Sequence, residues 1–244
     1  MTNTKKVFDR NKLKDVLKPV IKKAYTSRVL TKKDLYSNTL DPFSAVLDAK
    51  LLGLSLEEWE EQVERPRQTQ KTIQNAIGEM HQQIVATLDD WEDLGTGGVV
   101  DNRNKKKKIL AEIKNKWNTV NSDSAIGSYD GLESKIKEHP GFTGYHVVML
   151  PKNGQAFDEN FTPSDKKTKK KRPSREDIRR IDGKSFYEEI TGQEDALQQL
   201  YEEFNSLIDE VLTEETGRNF SVDLGNEKRE FIFKKVFPDT EEEE

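Results

Sequence analysis

The run from Gly144 to Leu150, Gly-Tyr-His-Val-Val-Met-Leu, is nearly continuous in apolar residues. It is far too short to cross a membrane and is typical of a strand buried on both faces. Such strands lie inside parallel or mixed sheets and are reached by crossover connections that place helices on the faces. Tyr129 to Glu138, just upstream, has the pattern of a helix. With a hairpin at 99–117 before it and helices after it, the order is helix, hairpin, helix, buried strand, helix. This predicts an α/β fold, with a mixed central sheet flanked by helices and a helical N-terminal region.

Residues 1–35 are basic and amphipathic, and predict one or two helices. Asp41-Pro42-Phe43 marks a helix start, with Asp41 as cap and Pro42 in the first turn; Ala45 to Leu54 continues that helix. Ser55 with Glu58 three residues on is a capping-box pattern. Thr69 to Leu88 carries Ile73, Ala76, Ile77, Met80, Ile84 and Leu88, the spacing of a helix with one buried face. Trp91 to Gly98 is a glycine-containing loop or short strand. Pro151 to Arg175 is polar, basic and proline-containing, and predicts a mobile loop. Ser185 to Ile190 and Glu194 to Leu212 are helical, and Glu230 to Phe237 predicts a final strand. The resulting division is a helical region over 1–70, for dimerisation or DNA contact, and a core over 71–240 with a basic loop at 151–178.

Charged residues make up 35% of the chain, above the usual ~25%. The net charge is only −5, so the sum does not announce a nucleic-acid partner. The distribution does, because a surface field depends on where charges sit. Lys105 to Lys108 form one basic run and Lys166 to Arg180 another, offset by an acid-rich 188–215 stretch and by Glu241 to Glu244. Cysteine is absent, which excludes disulfides, thiolate zinc sites and cysteine nucleophiles. No apolar run approaches membrane-spanning length and no signal peptide opens the chain, so a soluble cytoplasmic protein without a membrane partner is expected.

Val99 to Asn118 carries the candidate chemistry. A short apolar run ends in Asp101, a polar basic turn follows, and a second apolar run carries Glu112 and Lys114. Strand side chains alternate faces, so Glu112 and Lys114 point the same way and Ile113 the other. If the runs pair as a hairpin, Asp101 lies near Glu112. Two carboxylates beside a lysine form a divalent-metal site suited to phosphodiester cleavage. Enzymes remove about 8–23 kcal/mol of barrier, whereas one charge-assisted hydrogen bond contributes only about 1.5–3 kcal/mol. A lysine alone is therefore insufficient. A metal lowers the pKa of bound water and neutralises phosphate charge. Mg2+ takes one or two carboxylates and keeps several waters, which suits Asp101 and Glu112, with the Ile113 carbonyl as a further ligand. Lys114 then orients the attacking water or stabilises the pentavalent phosphate. The plain alternative is a surface salt bridge between Glu112 and Lys114, contributing under about 1 kcal/mol.

The segment resembles the PD-(D/E)XK nuclease superfamily, and more closely the type II restriction endonucleases that cut GGNCC. Further stretches carry the likeness in order along residues 41–200. They are Asp41-Pro42-Phe43, Arg67-Gln68, Trp91-Glu92-Asp93-Leu94-Gly95, Glu112-Ile113-Lys114-Asn115-Lys116, Gly141-Phe142-Thr143-Gly144-Tyr145, Phe161-Thr162-Pro163-Ser164-Asp165 and Arg179 through Tyr187. The resemblance implies a restriction-endonuclease-like core, Mg2+-dependent cutting of double-stranded DNA to 5′-phosphate ends, and a cognate methyltransferase protecting host DNA. It casts Asp101 as the first acid, Glu112 as the second and Lys114 as the lysine. Val100 stands where the family pattern has a proline, which leaves Asp93 as the other candidate for the first acid. Superfamily members often add a helical acid or amide, and Glu79 and Gln82 occupy such a helix.

The remaining candidates concern DNA. Lys105, Lys106, Lys116 and Asn118 flank the catalytic strand. Arg179, Arg180, Asp182 and Lys184 alternate with apolar residues; arginines can fork onto guanine, and acids can accept from cytosine. His81 is a proton shuttle or, more simply, a hydrogen-bonded helix residue, and His139 and His146 are too scattered for a histidine nuclease site. A palindromic target implies a two-fold homodimer, through residues 1–40 or the 194–215 helix. Two other functions fit the same residues: a repair or junction nuclease of this fold, and a DNA-binding protein without catalysis.

Overall fold

The computed structural model describes residues 6–29, 35–36, 39–95, 98–119, 122–165, 168–220 and 222–238. Lys166, Lys167 and Glu241 to Glu244, part of the charge runs above, lie outside these. The N-terminal region contains α1 (Arg10–Thr26), α2 (Pro42–Leu52) and the single turn α3 (Leu56–Trp59). Asp41 caps α2 through the Phe43 amide, with Pro42 in the first turn, and Gly53 closes it in the left-handed conformation. Ser55 and Glu58 form the expected reciprocal capping box. A π-helical stretch, Glu60–Glu64, then leads into α4 (Arg65–Ala86), with Pro66 in its first turn.

The strands are β1 (Trp91–Asp93), β2 (Asn102–Asn104), β3 (Ile109–Lys116), β4 (Thr143–Leu150), β5 (Asp158–Asn160) and β6 (Ile178–Asp182). Helix α5 (Ser122–Glu138) crosses from β3 to β4, and α6 (Gly183–Thr191), α7 (Ala196–Thr216) and α8 (Asn226–Val236) follow β6. The strands form one mixed sheet in the order β1-β2-β3-β4-β6-β5. β3, β4 and β6 run parallel in its centre, with antiparallel strands at both edges. This is the α/β architecture expected from the buried strand.

Two expectations fail. The 151–175 stretch is not a plain loop, because it contributes β5. Its basic part is fastened to α5 by a two-armed Arg172–Asp130 pair and by the Tyr129 hydroxyl donating to the Pro173 carbonyl. Glu230 to Phe237 is helical rather than a strand. Phe233 and Phe237, one turn apart in sequence, meet at 5.1 Å with their rings tilted by 44°, and Phe233 also lies against Tyr201 of α7.

The period of two along β3 and β4 divides the molecule. Ile109, Ala111, Ile113, Tyr145, Val147 and Met149 enter the main core, with α1, α4, α6 and α7. Leu110 and Ile178 enter a smaller core on the opposite face, with Tyr129, Leu132 and Ile136 of α5. Glu112 therefore points to the α5 face, two residues past Leu110, where the apolar packing gives out.

Candidate active site

The ladder between β2 and β3 breaks at Asp101, just beyond the pair Asn102 and Ala111. The Asp101 amide donates to the Ala111 carbonyl at 2.9 Å. Its carboxylate Oδ2 accepts the Ile113 amide at 2.7 Å, taking the place of a backbone carbonyl. In a strand the N–H and C=O of one residue leave the same edge. The Ile113 carbonyl thus faces the edge on which Asp101 stands. Lys114, one residue further, is half-buried, and its Nζ lies 2.8 Å from Glu112 Oε1.

Glu112 is buried on the sheet. In register beside it stand His146 of β4, Arg180 of β6 and Glu159 of β5, a polar row running across four strands. His146 is 1% exposed and stacks flat on Phe161, at 4.5 Å and 7°. Its Nδ1 lies 3.8 Å from Glu112 Oε2, too far for a hydrogen bond, and both atoms are buried without a partner. A cleft of about 480 Å3 opens beside the row, lined among others by Trp117, His146, Asn160, Lys171 and Arg180.

The two carboxylates are tuned in opposite directions. Burial pushes Glu112 up, but His146, Lys114 and Ser128 of α5 together outweigh it and hold the group below the usual glutamate range. Burial also pushes Asp101 up, and there it prevails over the Ile113 amide and Lys114. The negative charges of Glu112 and Asp93 push in the same direction as burial. Glu112 Oε2 is an acceptor with nothing to accept from, and buried polar atoms of that kind call for a partner. The donor set here is all oxygen: two carboxylates and one strand carbonyl. It suits a hard divalent cation that keeps several waters. Among the described residues no group of three or more histidines, cysteines or acids is placed to hold a metal ion, here or elsewhere.

The family model of the Eco47II restriction endonuclease matches residues 6–213. The chain belongs to the Eco47II restriction endonuclease family. It is 38% identical over 208 residues to the type II restriction enzyme Eco47II of Escherichia coli, covering 83% of this chain and 86% of that protein. It is 27% identical over 168 residues to the type II restriction enzyme Sau96I of Staphylococcus aureus, covering 68% of this chain and 64% of that protein. Membership makes the chain a type II restriction enzyme, a site-specific deoxyribonuclease. No described helix is long and apolar enough to cross a membrane.

Within this family member the other expected residues are scattered. Glu79 is exposed and pairs with Lys23 of α1 at 3.3 Å, on the side of the sheet facing away from Glu112. Gln82 is half-buried on the same helix, its carbonyl bonded by the Asn102 side chain. Asp93 accepts the Gly95 amide and stands in the edge strand β1. Lys105 and Lys106 pair with Glu92 and Asp90 at the hairpin turn, the end of β3 away from Lys114. Lys116 follows Lys114 on the Glu112 face of β3, and Asn118 is exposed beyond it. Arg179 pairs with Asp158 at 2.7 Å. Arg180 lies over the Phe157 ring at 4.5 Å and faces Glu159 at 3.6 Å. Asp182 is buried, and its oxygens accept from the Lys184 and Ser185 amides, the Ser185 hydroxyl and the Phe157 amide. Lys184 is half-buried in the helix turn that Asp182 caps. His81 is buried against the Tyr187 hydroxyl at 3.2 Å, as a hydrogen-bonded helix residue.

His146 and Ser128 were not expected beside Glu112. The alternation within β4 gives the face of His146, but its neighbour depends on a parallel register with a strand on the other side of α5. Sequence spacing carries no sign of that register.

Proposed function

We propose that this enzyme hydrolyses double-stranded DNA with Mg2+ held by Asp101, Glu112 and the Ile113 carbonyl. Its target is GGNCC or a close variant, the site implied by the family resemblance. The observation that carries this reading is the convergence of both carboxylates and Lys114 at the break in the β2–β3 ladder, with one Glu112 oxygen buried and unsatisfied. The ion supplies charge neutralisation at the phosphate and a more acidic water. Glu112 is held ionised by His146, Lys114 and Ser128, and so is ready to bind a cation at neutral pH. Asp101 is fixed by the Ile113 amide, which sets its angle to Glu112. Lys114 lies within reach of Glu112 and is partly open to solvent, where its ammonium meets the scissile phosphate and orients the water for in-line attack. Arg180 and the cleft beside it contact the flanking DNA. The protein works as a homodimer in the cytoplasm, each copy cutting one strand, with a methyltransferase protecting the host site.

Plasmid incubated with the protein and Mg2+ is expected to give discrete fragments, and sequencing their ends gives the recognition site. Glu112→Gln and Lys114→Ala are each expected to lower cutting by about 10³-fold or more while the DNA is still retarded in a gel, the scale of losing a metal ligand or a group that stabilises charge in the transition state. Normal cutting by Glu112→Gln would overturn the assignment.

A further inference from the structure

The helix α2 is mostly apolar, with Ser44, Asp48 and Lys50 as its polar residues, yet it buries only Ala45 and Ala49, against Trp59 and a small cluster with Leu40, Leu54 and Val63. Its outer face carries Phe43, Val46, Leu47 and Leu51. Leu52 and Leu56 continue the patch, and these six side chains are between 45% and 86% exposed. An exposed apolar patch of this kind on a helix face marks an interaction surface. Taking about 150–200 Å2 for each fully exposed large side chain, the patch presents on the order of 600 Å2 of apolar surface. That is at the upper limit for the largest patch of a monomer, about 300–600 Å2. It is also most of the roughly 800 Å2 that each partner gives to a stable interface.

We propose that this face of α2 is the two-fold interface between copies of this chain. The proposal rests on the reading above that two copies cut the two strands, and it names the surface through which they meet. Phe43, Leu47 and Leu51 lie four residues apart and form one stripe centred on Leu47. An isologous interface requires a patch complementary to itself. Two such stripes laid antiparallel about Leu47 place Phe43 of each copy on Leu51 of the other, large against small, with helix dipoles opposed. No charged residue interrupts the stripe. Of the two charges on the helix, Asp48 is engaged by the Trp59 indole N–H at 2.8 Å, and Lys50 stands on the exposed face between Val46 and Phe43, where its long stem covers apolar surface while the ammonium reaches the rim. Other exposed apolar residues are fewer in any one place; Val222, Leu224, Phe231 and Ile232 lie at or before α8, a helix already seated through Phe233 and Phe237. α1 and α7 are joined to each other by ion pairs of Arg10 and Lys14 with Glu203, Glu210 and Glu214, so their charged faces are satisfied within one chain.

The test is sedimentation of the full chain, with the variant L47D/L51D and single cysteines at Val46, Leu47, Lys50 and Leu51. The wild type is expected to sediment at twice 28.1 kDa. The double variant is expected to raise the dimer dissociation constant about 100-fold, as changes at central interface residues do, with unchanged far-ultraviolet dichroism. Because the chain has no native cysteine, oxidation reads the interface directly. Leu47→Cys at the axis is expected to cross-link into a covalent dimer, which also covers the case in which the double variant fails to fold. A wild-type dimer with no cross-link at any of the four positions would overturn the α2 interface and leave the two-fold reading standing. A wild type monomeric both free and on DNA would overturn both, and would leave the face to another protein.

Discussion

Glu112 has three neighbours that decide its charge, and each comes from a different element: Lys114 from its own strand, His146 from β4 and Ser128 from α5. Lys114 was legible in the sequence because period-two alternation fixes it. The other two were not, because the packing of β4 and α5 on β3 decides them. His146 is lowered by its burial, which outweighs the pull of Glu112 in the other direction, so the ring is neutral at pH 7 and offers a proton only through whichever nitrogen carries it. Replacing it by Asn preserves a polar neighbour for Glu112, whereas Phe removes it. His146→Phe is expected to weaken Mn2+ affinity, measured by calorimetry without DNA, about 10–100-fold, the scale of losing a group that orients a metal ligand. His146→Asn should recover part of that loss; equal affinities in both variants and the wild type would show that the ring only fills space. His81 lies instead in the main core, against the Tyr187 hydroxyl. Burial lowers the imidazole to about 4, against 6.5 for the free side chain. The unfolded chain therefore takes up a proton below pH 6.5 that the native protein refuses until about pH 4. Stability falls as pH drops through that window, by about 3 kcal/mol at most from this group. Thermal melts from pH 7 to 4.5 should show a smaller decline in His81→Gln than in the wild type.

At the scale of elements, β6 and α8 show where the sequence pattern misleads. β6 reads Ile-Arg-Arg-Ile-Asp. Ile178 enters the α5-side core and Ile181 the main core, so each face receives one isoleucine and one arginine. A strand sandwiched between helices loses the alternation that would reveal it. α8 errs the other way, because Phe231, Ile232 and Phe233 look like a β-rich run although the packing is by helical turns. The helices of the first half were legible since their caps are local: Asp41, Ser55 and Glu58 act within one turn. Asp182 is a cap of greater reach. It starts α6 and also ties β5 to β6 through the Phe157 amide. Beside it, a Cβ on Gly183 would come within 2.6 Å of the Met149 carbonyl oxygen, so the chain passes too close to β4 for any larger residue. Asp182→Ala leaves several buried donors unpaired at once and is expected to cost about 3 kcal/mol by urea denaturation. Asp182→Asn, which keeps one acceptor oxygen, should cost less; an unchanged midpoint in both would mean that the cap carries no weight.

Across the whole molecule the charges largely answer one another before DNA arrives. The basic face of α1 meets the acidic face of α7, so part of the 40 Lys and Arg and 45 Asp and Glu behind the net charge of −5 is paired within the fold. In the basic segment before β6, Arg172 and Arg175 are bound to Asp130 and Glu133 of α5, and within β6 Arg179 is bound to Asp158 of β5, so these arginines are engaged in the fold. Lys169, Lys170 and Lys171 are exposed at the turn between, and Lys171 lines the cleft beside His146 and Arg180. The sequence made these cations one run; the fold divides them into fasteners and a surface for phosphate. The two roles separate by salt. Removing one lysine–phosphate pairing should reduce the slope of log K against log salt by about 0.9 for duplex DNA. Changing all three lysines to Gln is expected to flatten the slope by up to about 2.7 with the melting temperature unchanged. Arg172→Gln should instead lower the melting temperature, because it releases Asp130 and the segment together. A triple variant with the wild-type slope would show that the turn does not follow the DNA backbone, and would place the phosphate-binding groups elsewhere on the cleft face.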